Sequence, residues 1–355
     1  MPPRPDPRLA RLLGIEHPLL LAPMAGAADE ALAIAVARAG GLGSLPCAML
    51  DADTLRAQVT RFRTAIEAPI NLNFFCHVEP LPDTVREARW RERLAPYYDA
   101  LGVPRDTQAP AAQRRPFDEQ ACATVESLRP EVVSFHFGLP APELLARVKA
   151  CGARVLGSAT TVAEARWLAA HGCDAIIAQG WEAGGHRGSF LDAPVATQPG
   201  LLALLPQVVD AVDRPVIAAG GIGDARGIRA ALALGAAGVQ LGTAFLLSDE
   251  ARIRPLHRAA LASARAAQTA VTNLFSGRPA RGIANRLMRE LGPMCDDVPA
   301  FPSAGSALAP LRQRTEPDGI DDFVNLWAGE AAPLAQTGPA EAIARALIDA
   351  FPPSG

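Results

Sequence analysis

The residues best equipped for chemistry lie in one run, Gln179-Gly180-Trp181-Glu182-Ala183-Gly184-Gly185-His186-Arg187-Gly188. Its four glycines let a main chain approach a ligand closely. An imidazole held there can give or take a proton near neutral pH, or offset a negative charge. A lone loop histidine is ordinarily a solvent-facing residue. Among these glycines His186 is instead the first candidate catalytic residue.

His136, in Ser134-Phe135-His136-Phe137-Gly138, is the second. Its alternative is a hydrogen-bonded core histidine between two phenylalanines. In Asn71-Leu72-Asn73-Phe74-Phe75-Cys76-His77, strand alternation puts Asn71 and Asn73 on one face, towards the interior. A buried amide must find partners, and the polar edge of a ring cofactor supplies them, Asn73 being the nearer to the strand's end. The histidines converge with no carboxylate set, so a metal site is not expected. Three further turns suit a flat, phosphorylated ligand. Ala22-Pro23-Met24-Ala25-Gly26 offers small residues against which a ring can lie. Gly220-Gly221-Ile222-Gly223 and Gln240-Leu241-Gly242-Thr243 can aim backbone N–H groups at a phosphate. A dinucleotide fold would want its G-x-G-x-x-G after the first strand with an acid about 20 residues on, and that spacing is absent.

These segments sit where short apolar runs end. Leu19–Pro23, Gly43–Pro46, Ile70–Phe75, Val132–Phe137, Arg154–Ser158, Ala175–Gln179, Val216–Ala219 and Gly238–Gly242 read as strands of a buried parallel sheet. Helical patterns follow them over Glu30–Ala39, Thr54–Ile66, Asp118–Leu128, Pro142–Ala150, Val162–Ala170, Leu201–Val212, Ala225–Leu234 and Ile253–Ala264. Eight alternating pairs predict an α/β fold of the closed (β/α)8 barrel kind, with its site at the C-terminal strand ends. An open three-layer sheet is the alternative that periodicity alone leaves standing. Residues 77–117 read as an insertion after the third strand, covering the mouth. Residues 1–264 then form the barrel, and 265–355 a helical extension packed on that mouth.

Composition narrows the rest. The chain has 355 residues, 49% hydrophobic and 20% charged, with a net charge of -3. A barrel of this kind takes about 250 residues, which leaves room for both additions. No basic run points to nucleic acid. The single lysine, Lys149, falls on a helix expected to be exposed, so Schiff-base or Walker chemistry has no obvious agent. Six cysteines without a C-x-x-C pair read as reduced core residues of a cytoplasmic protein. Glu16, His17 and Pro18 break up the apolar start as a signal peptide, and no run approaches the roughly 18 apolar residues of a membrane span.

Ala22-Pro23-Met24, Gly40-Gly41-Leu42-Gly43, Asn71 to His77, Ser134 to Gly138, Gln179 to Gly188, Ala219 to Ile222 and Gln240 to Thr243 together resemble the nitronate monooxygenases. The resemblance runs from about residue 10 to residue 290. It implies non-covalent FMN and oxidation of nitronates by O2 to carbonyl compounds plus nitrite or nitrate. It also implies cofactor contacts from Ala22, Pro23, Met24, Asn73, Gln179, Gly184, Gly185, Gly220, Gly221, Gln240, Leu241, Gly242 and Thr243, with His186 catalytic. Related barrels that share the Glu-Ala-Gly-Gly-His loop imply a rival, an FMN-dependent NAD(P)H reductase of enoyl-thioesters or quinones. A flavin-binding barrel without turnover is the non-enzymatic rival. Where the family carries a Tyr-Pro stretch ending in Thr-Lys, this chain has Phe301-Pro302 and later Leu308-Ala309. That departure predicts an apolar wall and a preference for neutral-tailed nitronates, unless Arg114 or Arg115 of the insertion supplies the missing charge.

Overall fold

The computed structural model describes residues 6–107, 114–192 and 194–352; residues 108–113 of the expected insertion and the outermost residues of both termini lie outside them. Its strands are β1 (Leu19–Leu21), β2 (Gly43–Pro46), β3 (Ile70–Phe75), β4 (Val132–His136), β5 (Arg154–Ala159), β6 (Ala175–Gln179), β7 (Gly185–His186), β8 (Val216–Ala219), β9 (Gly238–Leu241), β10 (Thr269–Thr272) and β11 (Ala280–Ile283). All but β7, β10 and β11 form one parallel sheet in the order β1-β9-β8-β6-β5-β4-β3-β2. Leu20 bridges Leu42, and Leu42 donates from its N–H to Leu19 O at 2.9 Å, so the two edges meet and the barrel closes. Gly41 makes that contact possible, since a Cβ there would sit 2.7 Å from Leu19 O.

The helices are α1 (Pro7–Leu13), α2 (Glu30–Arg38), α3 (Ala52–Ala65), α4 (Thr84–Leu101), α5 (Glu119–Leu128), α6 (Pro142–Ala150), α7 (Val162–Ala170), α8 (Leu201–Ala211), α9 (Ala225–Ala233), α10 (Pro255–Leu261), α11 (Arg286–Leu291), α12 (Ala309–Thr315) and α13 (Ala340–Ile348). Where strand turns into helix, Asp29, Asp51, Asp118, Thr161 and Asp224 cap the first turn with a side-chain oxygen. No described helix is long and apolar enough to cross a membrane.

Burial separates the two ends of the barrel. At the N-terminal end, Leu9 and Leu13 of α1 pack with Leu20, Leu156, Ile177 and Ile217, so α1 plugs the bottom with hydrocarbon. Towards the mouth the interior turns polar. Asn71 Nδ2 donates to Ser44 Oγ and Ser134 Oγ, both at 3.0 Å, and Asn73 Nδ2 donates to Ser134 Oγ at 2.9 Å.

The region after β9 differs from the expected eighth unit. The helix anticipated over Ile253–Ala264 is only Pro255–Leu261, and its buried residues join a cluster at the mouth with Ala27, Leu246 and Val324. The place between α9 and α2 is taken instead by α13, whose Ile343, Ala344 and Leu347 share the core of the barrel helices. The chain thus leaves the barrel at β9, builds over the mouth and returns to complete the helix ring. Over the mouth, Trp90, Leu94, Tyr97 and Tyr98 of α4 pack against Leu274, Phe275, Leu287, Leu308 and Phe323, a second core. Trp90 Nε1 donates to Ala304 O at 3.1 Å and Tyr98 OH to Ala307 O at 2.7 Å, so the insertion and the C-terminal segment form one cap.

Candidate active site

Barrel and cap enclose a cavity of about 490 Å3 at the C-terminal strand ends, within the range of small-molecule sites. Pro23 and Met24 form one wall; Asn73, His136 and Gln179 project from β3, β4 and β6. Gly184, Gly185 and His186 come from the loop after β6. Gly220 and Gly221 follow β8, and Gln240 to Thr243 end β9. Every residue proposed from sequence for cofactor or catalysis, Ala22 included, lines this one space.

The histidine loop is held by donors from elsewhere. His186 O accepts from Gln179 Nε2 at 2.9 Å and bonds His136 Nε2 at 3.1 Å. A carbonyl has no proton, so Nε2 of His136 carries the hydrogen and is committed to the loop. Gln179 Oε1 accepts from Gly188 N at 2.8 Å, so both ends of that amide brace the loop. Arg187 is fully buried without a carboxylate; its guanidinium donates to Gln198 Oε1 at 2.7 Å, Gly180 O at 2.5 Å and Gln179 O at 2.9 Å. From the cap, β11 pairs with β7 antiparallel, Ala280 opposite His186. Phe137 adopts φ 69°, a left-handed conformation that costs a non-glycine residue about 1 kcal/mol or more. The strain ends β4 at His136 and lets the ring of Phe137 turn onto His136, 4.6 Å between centres.

Around His186 the surroundings are aromatic and cationic. Its ring lies 5.4 Å from Phe301, 5.5 Å from Trp327, 6.0 Å from Phe137 and 6.3 Å from Phe75, centre to centre. Nε2 is 2.9 Å from Ser276 Oγ, whereas Nδ1 has no hydrogen-bond partner among the described residues. Burial, followed by the charges of Arg114, His136 and Arg278, drives the His186 pKa well below its ordinary value, and no carboxylate opposes this. Burial likewise lowers His136 and His77 to about 4. The acidic residue of the lining, Glu182, is occupied: its carboxylate accepts from Leu201 N at 2.8 Å and caps α8. The site therefore presents a neutral imidazole within a positive field, an environment that favours an anion.

The residues present fit a flavin. Gly220 and Gly221 hold φ of 109° and 68°, and a Cβ at Gly242 would press on Ala22 Cβ and Met24 Sδ at 3.2 and 3.3 Å. Gln240 Oε1 is buried in the lining with no partner among the described residues; a ligand donor would satisfy it. Thr243 Oγ1 accepts from Gly329 N at 3.0 Å and keeps its own proton to donate.

Four contributors escaped the sequence reading: Ser276, Trp327, Phe75 and the bracing Arg187. Phe75, two residues after Asn73, and Arg187, next to His186, lay inside segments singled out from sequence, whereas Ser276 and Trp327 carried no local signal.

The family model for nitronate monooxygenase matches residues 6–349. The nitronate monooxygenase of Pseudomonas aeruginosa is 40% identical over 348 residues, covering 96% of this chain and 98% of that protein. Among solved structures, the nitroalkane oxidase of Streptomyces ansochromogenes superposes with a TM-score of 0.86 at 37% identity, covering 97% of both chains. FabK from Thermotoga maritima gives 0.71 at 28% identity, covering 97% of this chain and 95% of that one. The match spans barrel, histidine loop and cap alike, and the chain belongs to the nitronate monooxygenase family, a flavin-dependent class of oxidoreductases.

Proposed function

We propose that the protein oxidises alkyl nitronates with O2 to carbonyl compounds plus nitrite or nitrate, using non-covalent FMN. The observation that carries this reading is His186 in the cavity between Phe301, Trp327, Phe137 and Phe75, its Nδ1 without a partner among the described residues and its pKa pushed well down by burial. When bound, FMN supplies the electron acceptor and the reactivity with O2. Pro23 and Met24 would back its ring; Asn73 and Gln240 would meet its polar edge. The main chain at Gly220–Gly221 and Gly242–Thr243 would hold its phosphate.

His186 has two tasks in this scheme. Beside an anionic substrate its proton affinity rises, so it can hold a proton at Nδ1 and offset the nitronate's charge. A preformed nitronate needs no proton removed, and His186 becomes a general base only toward a neutral nitroalkane. His136 is a positioning residue, since its Nε2 is committed to the His186 carbonyl. The aromatic rings exclude water and thereby strengthen each charge interaction inside. All six cysteines are unpaired, which suits a reducing, cytoplasmic setting.

The test is oxygen uptake by the purified yellow protein with propyl 2-nitronate, alongside chromatography of the flavin released by heat. Uptake with release of FMN supports the reading. Recovery of FAD overturns the cofactor, and rapid anaerobic bleaching by NAD(P)H without nitronate turnover overturns the reaction.

A further inference from the structure

Arg114 comes from the insertion after β3 and lines the same cavity as His186. Its guanidinium carbon lies 5.4 Å from the ring centre of Phe301, and that ring is 5.4 Å from the His186 ring, centre to centre. Arg114 and His186 thus both border one aromatic ring. Other arginines of the region are spoken for: Arg187 by three acceptors, and Arg278 by Ser189 O at 2.6 Å. Arg114 makes no ion pair or side-chain hydrogen bond among the described residues, and the residues outside them include no Asp or Glu. Burial alone acts on it, pushing its pKa down, with no carboxylate to restore it. Arg312 also faces the cavity, but the Glu316 carboxylate of the Arg254–Glu316 pair acts on it, whereas no carboxylate acts on Arg114.

A partly buried guanidinium without an acceptor is costly unless a ligand completes it. Its planar fork of five donors matches a carboxylate, and the Phe301 face holds it in place through cation–π attraction. We propose that Arg114 is a specificity-determining residue that binds a carboxylate on the substrate chain remote from the nitronate. The preferred substrates are then dianions, the reverse of what the apolar Phe301 and Leu308-Ala309 stretch suggested from sequence. The proposal rests on the nitronate reading above.

The experiment compares kcat/KM for propionate 3-nitronate and for the neutral-tailed propyl 1-nitronate in the wild type, Arg114→Gln, Arg114→Lys and Arg115→Gln. Loss of one charge-assisted hydrogen-bonding partner predicts a drop of about ten- to hundredfold for the carboxylated substrate in Arg114→Gln. The drop should appear mainly in KM and exceed the change with the neutral-tailed substrate, which loses only Arg114's share of the positive field, and lysine should recover part of it. Arg115, exposed beside it, removes the same net charge and should change neither substrate. Equal losses on both substrates, or the same selectivity change in Arg115→Gln, overturn the proposal. Should the wild type oxidise no nitronate, the reaction class falls separately, and the carboxylate site is read by titrating the oxidised holoprotein with succinate and butyrate. Tighter succinate binding that Arg114→Gln abolishes, followed by flavin absorbance, supports the site; equal binding of the two acids overturns it.

Discussion

Ser276→Ala should slow nitronate oxidation about tenfold while leaving the flavin bound. Ser276 is 1% exposed, and its Oγ lies 2.9 Å from His186 Nε2. Its other contacts are weaker, a bond to Arg278 O at 3.2 Å and one from Arg278 N at 3.4 Å. Alanine removes the hydroxyl and little volume, so the cap core should survive. What remains is a buried imidazole nitrogen without a partner, at a cost of ~1–3 kcal/mol. If the ring stays in place, that cost is shared by ground and transition states and appears as lost stability. If the ring turns to find another partner, Nδ1 leaves the position that faces the substrate. Each ~1.4 kcal/mol then forfeited at the transition state is about tenfold in rate. The four aromatic walls within 6.3 Å of the His186 centre limit that turn, which places the loss at the lower end. The assay is steady-state oxygen uptake with propyl 2-nitronate, together with the visible flavin spectrum and the melting temperature. A fall in kcat at constant flavin content is the expected outcome, with partial recovery in Ser276→Cys. Wild-type kcat in Ser276→Ala, even with a lowered melting temperature, would refute the reasoning: packing alone would then orient His186.

Three further outcomes follow from the same geometry. His186→Ala should retain FMN yet lose ~10²–10⁴-fold in turnover, because the cofactor is held largely by main chain; undiminished turnover would remove His186 from the mechanism. Gly221→Ala should weaken FMN binding, since a side chain at φ 68° is strained by ~1–2 kcal/mol and its Cβ would lie 3.3 Å from Glu182 Cβ; reconstitution of the apoprotein with unaltered affinity would count against the phosphate cradle. Stability should fall on acidification. His77, His136 and His257 are lowered to about 4 by burial, and His186 further. Between about pH 6.5 and pH 4 the unfolded chain therefore binds protons that the folded chain does not. Their stabilisation is complete above pH 6.5 and is lost as pH falls, by up to ~1.4 kcal/mol per pH unit for each histidine. Urea unfolding at pH 7.5 and 5.5 checks it, and an equal or higher midpoint at 5.5 would contradict the sign.

Much of the barrel was legible because its signals are local. β2, β3, β6 and β8 occupy the runs read from sequence residue for residue. Short, mainly apolar runs bounded by glycine, proline or polar residues read as strands of a buried parallel sheet, and alternation sends Asn71 and Asn73 of β3 to one interior face. β1, β4 and β9 stop one or two residues early because the backbone must turn there to present site residues, most plainly at Phe137 with φ 69°. Glycine-rich turns after β6 and β8 were equally readable, since only glycine takes such conformations freely.

The sequence by itself determined the strand–helix alternation, the residues that end each strand at the mouth, and the glycines that admit a ligand to the main chain. Tertiary structure alone decided which distant segments complete them. Ser276, Phe301 and Trp327 reach His186 across 90 or more residues, through the pairing of β11 with β7 and the packing of the cap. Gln179 lines the cavity, and only the fold reveals that its amide also braces the histidine loop, because glycines supply no side chains to hold their own carbonyls and N–H groups. The closing helix proved to be α13 rather than the segment after β9, since a place in the ring goes to whichever amphipathic helix can bury its face there, however far along the chain. Periodicity records that a helix has an apolar face; only the assembled barrel determines what that face covers.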